Sequence, residues 1–463
     1  MDESDHVTSS SQGHQHGGDA FIERGEKQNQ ARRRLFPHAL CVGLLTGVIA
    51  VAFRVCLEKG EEWRTHLMTW AQAAGGLGAG LLVVGACLLI GISLWLIKAI
   101  CPEASGSGIP HLRLVLSQHG QLNWRRVIPV KFASGLLGIM GGLCLGREGP
   151  TIQMGASIGA MWGESHLGKS TDRRTLLVTG ASAGLAAAFN APMAGILFSI
   201  EELHIFLPES AFFAAMISCI ASDLLARSIL GQTSVLQVTL NEIPPLESLP
   251  FFVVLGVLCG GLAWLFNNVL VGASRRLAFQ TFAPNLIKVL IAGSTLAIVG
   301  WCYPPLLGGG IALSNRALAG DGTMAWLVVM LVLRFGLSIG SYSVGTAGGI
   351  FAPLLVLGGL LGLLTGEISQ HLIPTAVPEP KAFAVVGMAA IFASVVRCPL
   401  TGIILIIEMT GHYELILPLM VASFTASITA DELHVAPVYD ALLESQLAAQ
   451  ATPSAASATL PAD

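Results

Sequence analysis

Long stretches of this chain show no alternation of apolar and polar positions. Phe36 to Phe53 contains no Asp, Glu, Lys or Arg, and neither do Gly75 to Ile97 or Phe251 to Leu270. Uniform apolarity over ~20 residues predicts helices that cross ~30 Å of hydrocarbon, because an amphipathic surface helix would show a polar face every few residues. The remaining apolar runs are shorter and are cut by Gly, Pro or a single charge. The pattern therefore predicts about ten to eighteen helical segments, several too short to span.

Composition points the same way. Of 463 residues, 53% are hydrophobic and only 12% charged, whereas soluble domains run near ~25% charged. The expectation is one all-α polytopic membrane domain over residues 35–442, flanked by disordered segments at 1–34 and 443–463. The first segment is polar and ends in Arg32-Arg33-Arg34, without the apolar core and cleavage site of a signal peptide. His14 and His16 form an H-x-H in that segment and read as solvated, not as a metal site. The final segment is rich in Ala, Ser and Gln, with no regulatory module expected there. A net charge of −4 argues against a nucleic-acid partner. The nine Cys lack metal-site or disulfide spacing and read as buried thiols, so no cofactor is expected.

Lys and Arg set the expected orientation. Arginines before the first span place the N-terminus in the cytoplasm. The acidic loop EKGEEWRTH then lies outside, and Arg113, Arg125, Arg126 and Lys131 follow the second span on the inside. This puts GSGIP (106–110) at the inner side and GREGP (146–150) at the outer end of the next segment.

The chain also repeats itself. Gly146 to Pro150 and Gly349 to Pro353 are both G-x-x-x-P, and each is followed by matching glycines, Gly155 and Gly159 against Gly358 and Gly362. NAPMAGILFSIEE (190–202) matches RCPLTGIILIIEM (397–409), with Pro192 on Pro399, Gly195 on Gly402 and Glu201 on Glu408. The two blocks predict halves of about 35–237 and 250–442, an organisation typical of transporters with broken helices.

The breaks carry the chemistry. Gly and Pro interrupt a helix, and Pro suits the first turn of the next. A helix that starts at bilayer depth offers free N–H groups and a partial positive charge, which suits an anion. GSGIP, GREGP and GGIFAP are three such starts. Ser107 adds a hydroxyl donor. In this setting Glu148 is a tethered anion that a mobile anion could displace and a proton could neutralise. An acid at mid-bilayer costs ~2.5–3.5 kcal/mol on insertion scales. The competing reading pairs Glu148 with Arg147 as structural glue, but adjacent helical residues do not face each other.

GSGIP, GREGP and GGIFAP in this order, with Tyr439 in APVYDALL, resemble the CLC family of chloride channels and chloride/proton exchangers, over residues ~36–442. GLAAAFNAPMAGILFSIEE is similar to the bacterial exchangers. The resemblance implies an inverted repeat of about 18 helical segments, a homodimer with one pore per subunit, and a multi-pass location in the cell inner membrane. It implies that Ser107, Tyr439 and the N–H groups of Ile350 and Phe351 hold chloride, with Gly106, Gly108, Pro110 and Gly149 shaping the turns. It makes Glu148 the gate, Arg147 an anion bias at the outer mouth, and Glu202 the inner proton acceptor, with Glu201 structural. An acid at Glu202 favours chloride/proton exchange over the alternative, a passive voltage- or pH-gated chloride channel. The chain departs from the familiar bacterial exchangers at His111-Leu112-Arg113, where those are acidic. Ser107 in place of proline resembles chloride-selective members.

Two serines also stand in a motif known from hydrolases. Ser157 in GASIG and Ser182 in GASAG fit the G-x-S-x-G nucleophile motif. That motif needs a preceding strand and a His base, whereas both lie in Ala/Gly-rich helical sequence suited to close helix packing. GGLGAG near residue 78 is likewise read as packing.

Overall fold

The computed structural model describes residues 8–167, 170–204, 208–232, 236–240, 242–278 and 282–451. Seventeen α-helices run through them. The first half holds α1 (Thr8–Ala73), α2 (Gly76–Ile100), α3 (Ile109–Leu116), α4 (Trp124–Met140), α5 (Glu148–His166), α6 (Ser170–Phe189), α7 (Pro192–Glu201) and α8 (Glu209–Leu230). The second holds α9 (Leu249–Ala278), α10 (Phe282–Cys302), α11 (Ile311–Ala319), α12 (Met324–Ser343), α13 (Phe351–Leu372), α14 (Lys381–Val396), α15 (Pro399–Thr410), α16 (Ile416–Glu432) and α17 (Val438–Ala451). Among the described residues the only extended pairing is two isolated backbone bridges. Eight of the helices are long and apolar enough to cross a membrane.

The ends differ from the sequence expectation. α1 begins at Thr8 and α17 continues to Ala451. Helix-forming Glu, Lys, Gln, Ala and Arg residues extend the apolar helices into both segments read as tails. The remaining residues, 1–7 and 452–463, lie outside the described ones.

Glycine lets the helices of each half pack backbone to backbone. A Cβ on Gly155 would lie 2.2 Å from the carbonyl oxygen of Gly180, and one on Gly159 would lie 2.0 Å from that of Leu176. The matching glycines behave alike: Gly358 would meet the Gly387 oxygen at 2.3 Å and Gly362 the Phe383 oxygen at 2.0 Å. Thus α5 lies tightly on α6, and α13 on α14. Neither crossing could form with alanine, and both fix a helix that begins at the site described below.

The halves also hold each other. The carboxylate of Glu201 accepts from the N–H groups of Leu400 (3.1 Å) and Thr401 (2.7 Å) at the start of α15. The carboxylate of Glu408 accepts from Met193 (3.0 Å) and Ala194 (2.9 Å) at the start of α7. Each acid therefore satisfies orphan donors of the other half's helix, where a negative charge also meets the helix dipole. The turns ahead of these helices match too: Asn190 and Arg397 both adopt left-handed backbone, at φ 56° and 70°.

Ser157 and Ser182 sit inside α5 and α6, and their hydroxyls donate to the carbonyls of Gln153 (2.8 Å) and Val178 (3.1 Å) one turn back. Helix, not strand, precedes both.

Candidate functional site

The site is assembled from helix starts. Gly108, in the left-handed region at φ 83°, turns the chain into α3, with Pro110 in its first turn. Glu148 is the first residue of α5, and Ile350 and Phe351 form the start of α13. Each start is buried: Ser107, Glu148, Ile350 and Phe351 are all at most 2% exposed. α5 reaches the α3 turn because residue 149 is glycine. A Cβ there would lie 2.8 Å from the Cα and the carbonyl oxygen of Ser107. Among the described residues, the N–H groups of Ile350 and Phe351 make no backbone hydrogen bond outside their helix. Both residues are buried, so these amides are shielded from water.

Tyr439 closes the cluster from α17. It is fully buried, its ring lies 6.1 Å from that of Phe351, and its hydroxyl has no hydrogen-bond partner. An unpaired buried hydroxyl is costly unless something accepts from it. Both Glu148 and Glu202 lie within electrostatic range of this tyrosine. The glutamates and the predicted anion ligands thus share one neighbourhood.

Glu148 folds back over its own turn. A Cβ on Gly146 would lie 2.0 Å from its Oε2, and that oxygen has no hydrogen-bond partner. Its carboxylate lies near the N–H groups of Ala352, Arg147 and its own residue. Arg147 ion-pairs elsewhere, with Glu58 at 3.4 Å, and Glu58 is also held by Arg54 at 2.8 Å. The structural-glue pairing of Arg147 with Glu148 is therefore not the ion pair that forms. A small cavity of about 60 Å³ beside Glu148 is lined by Arg147, Glu58, Glu61, Gly309 and Ile311. A larger one of about 440 Å³ reaches Gly106, Gly108 and Pro110, with Lys98, Lys288 and Tyr342 in its wall.

Glu202 follows α7 and is buried. Arg113 Nη2 lies 2.7 Å from its Oε1, and the Cys398 thiol donates to Oε2 at 3.3 Å. Glu201, next to it, is instead spent on capping α15.

Two contributors were not legible as site residues. Tyr342, near the end of α12, places its hydroxyl against the side chain and backbone of Ser107. Lys131, counted above as an inner loop charge, is instead fully buried on α4. Its ammonium donates to the carbonyls of Ala104 (3.0 Å) and Gly106 (2.8 Å), which fixes the turn that carries Ser107. A lone Lys inside an apolar run was its only signal. His14 and His16 lie in the part of α1 whose side chains fall outside the described residues.

A family profile described as voltage gated chloride channel matches residues 86–431. The chain belongs to the voltage-gated chloride channel family. Members of that family with high similarity include an H(+)/Cl(-) exchange transporter ClcA of Vibrio campbellii, 38% identical over 443 residues that cover 92% of each chain. A transporter of the same name from Salmonella paratyphi A is 36% identical and covers 90% of each. Among solved structures, a slow cyanobacterial Cl-/H+ antiporter aligns with a TM-score of 0.87 at 35% identity, covering 90% of this chain and 98% of that one. A CLC-type fluoride/proton antiporter aligns at 0.72 with 18% identity, over 88% of this chain and 97% of that one, and shares the fold. The all-helical fold of this chain is thus shared with both solved structures.

Proposed function

We propose that this chain is a chloride/proton antiporter of the cell inner membrane. The observation that carries the reading is the placement of two buried carboxylates, Glu148 and Glu202, around one buried hydroxyl with no partner, that of Tyr439. A passive pore has a use for one displaceable acid. A second buried acid, away from the three helix starts, has a use where protons must travel a route of their own. The relatives named as H(+)/Cl(-) exchange transporters support the same reading.

In this mechanism Ser107, Tyr439 and the N–H groups of Ile350 and Phe351 hold a dehydrated chloride without any fixed cation. Helix ends contribute ~0.3–2 kcal/mol each, enough to bind and weak enough to release. Gly106, Gly108, Pro110 and Gly149 let the helix starts approach. Ionised Glu148 competes for the same donors, and its protonated form yields to chloride. Glu202 loads a proton from the cytoplasmic side and passes it toward Glu148 past Tyr439. Arg147 draws anions to the outer mouth, with its charge partly countered by Glu58. The Ser107 turn faces the cytoplasm with the N-terminus, and the protein forms a homodimer with a pore in each subunit. Exposed Met193, Ile200 and Leu400 on the paired α7 and α15 offer an apolar face for that contact.

Purified protein in liposomes with a chloride gradient and a pH electrode tests this directly. Chloride-driven uphill proton movement is the expected result. Chloride flux without it would make the chain a passive channel.

A further inference from the structure

Arg113 brings a fixed positive charge into the fold, and the structure shows where that charge goes. It reaches Glu202 from the last turn of α3. Its Nη2 lies 2.7 Å from Oε1, and its Nε donates to the Glu202 backbone carbonyl at 2.8 Å. Its other arm, Nη1, pairs with Asp440, the residue after Tyr439 on α17. One guanidinium therefore ties together the helix that follows Ser107, the acid after α7, and the helix that carries Tyr439. The two acids differ in setting: the Glu202 side chain is 1% exposed and that of Asp440 is 40%.

Among the described residues, the other titratable groups around Glu202 add no second cation of fixed charge. The Cys398 thiol from the start of α15 donates to Oε2, and Glu201 and Tyr439 lie in electrostatic range. The His204 Nδ1 is 2.9 Å from the Glu202 carbonyl oxygen and 3.2 Å from Arg113 Nη2.

We propose that Arg113 is a positioning residue that competes with the proton for Glu202, and that Asp440 keeps the guanidinium when Glu202 is loaded. The proposal rests on the exchange reading above. Loading adds one proton to a Glu202 oxygen and breaks no covalent bond, and the guanidinium keeps its own protons. An uncompensated buried cation would be costly, but the guanidinium already pairs with Asp440, so it keeps an acidic partner when Glu202 is neutral. Loading leaves Arg113 paired with Asp440 alone, which links proton loading to α17, the helix holding the Tyr439 hydroxyl.

The test measures proton and chloride flux on the same proteoliposomes between pH 4 and 8 and follows the proton-to-chloride ratio. A ratio is insensitive to the fraction of active protein. A neighbouring cation moves a carboxyl titration by roughly 1–3 pH units. Arg113→Gln should therefore move the midpoint of the ratio upward by about one unit or more, and Arg113→Lys should stay near the parent. Asp440→Asn should move it downward, because Arg113 then belongs to Glu202 alone. An unmoved midpoint in Arg113→Gln, or equal midpoints in the Gln and Lys variants, overturns the proposal. If Arg113→Gln does not fold, an unmoved or raised midpoint in Asp440→Asn overturns it instead. If the parent chain pumps no protons at all, the exchange reading fails with it. A parent that exchanges normally while these midpoints stay fixed refutes only the role of Arg113.

Discussion

The amide of Gly146 donates to the carbonyl of Gly349 at 2.8 Å, and the amide of Gly349 donates back to the carbonyl of Gly146 at 2.8 Å. The two glycines are equivalent positions of the repeat, so the halves join through mutual hydrogen bonds between matched residues. The joint sets the starts of α5 and α13 beside each other. Two positive helix ends in contact repel unless an anion lies between them. The carboxylate of Glu148 stands near the N–H of Ala352 in the opposite half. An acid from one half thus serves the helix end of the other, which is the arrangement a displaceable gate requires.

Gly146→Ala should disturb the gate proposed for Glu148 without replacing an acid. The added Cβ would fall 2.0 Å from Glu148 Oε2, so the carboxylate must leave its seat. Chloride flux should persist while the proton-to-chloride ratio falls several-fold. Parental coupling in this variant would show that the seated position of Glu148 is not part of the cycle.

Glu148→Gln mimics the protonated acid permanently. It should conduct chloride and abolish coupled proton movement. Proton pumping at the parental ratio would remove Glu148 from the proton route.

Ser107→Ala with Tyr439→Ala should weaken chloride binding, since each removes a hydroxyl donor from a desolvated site. A donor to a charged acceptor is worth roughly 1.5–3 kcal/mol, or at least about tenfold in affinity per residue. Titration calorimetry with chloride measures this, and an unchanged affinity in the double variant would place the anion elsewhere.

Much of this arrangement is legible in the sequence because membrane helices and their breaks leave blunt signals. The uncharged runs mark the spans, and the doubled G-x-x-x-P marks the paired helix starts. The Glu201/Glu408 match marks equivalent positions of the repeat, and the reciprocal capping of α7 and α15 is what the two acids do there. A third repeat block is visible only in the backbone. Gly308 and Gly310 precede α11 as Gly106 and Gly108 precede α3, with φ of 66° and 83° against 60° and 83°. Only the backbone demand is shared there, because Gly309 and Ala312 stand where the first half has Ser107 and Pro110. Lys131 departs from its expected place for a related reason. Counting Lys and Arg by position cannot separate a loop charge from Lys131, whose ammonium ties down two carbonyls inside the fold. Tyr342 gave no signal, since its contact with Ser107 joins residues far apart in sequence.

Glu201→Ala should cost stability rather than coupling. The change leaves the N–H groups of Leu400 and Thr401 and the Thr401 hydroxyl without their shared acceptor. Hydrogen bonds to charged groups contribute ~1.5–3 kcal/mol each, though not additively. Thermal unfolding in detergent should shift downward by several degrees, while the proton-to-chloride ratio of the surviving protein stays parental. A lost ratio with unchanged unfolding would instead put Glu201 on the proton route.

Glu202→Gln separates the two substrates most directly. The amide keeps the shape of the carboxyl and can still accept from the Cys398 thiol, which lies 3.3 Å from Oε2. It cannot take up and release a proton in the working range. Glu202 also lies outside the starts of α3, α5 and α13, so the anion ligands should keep their places. Chloride transport should therefore continue while uphill proton movement disappears. Loss of the carboxylate also leaves Arg113 with Asp440 as its only acidic partner, so some loss of stability is expected, and chloride flux in the same vesicles reports whether the fold survives it. Uphill proton movement that persists in Glu202→Gln would mean that protons reach Glu148 by a path that avoids Glu202. In that case the buried pair of Arg113 and Glu202 would be a structural clamp on α3, α7 and α17 rather than the entrance to a proton route.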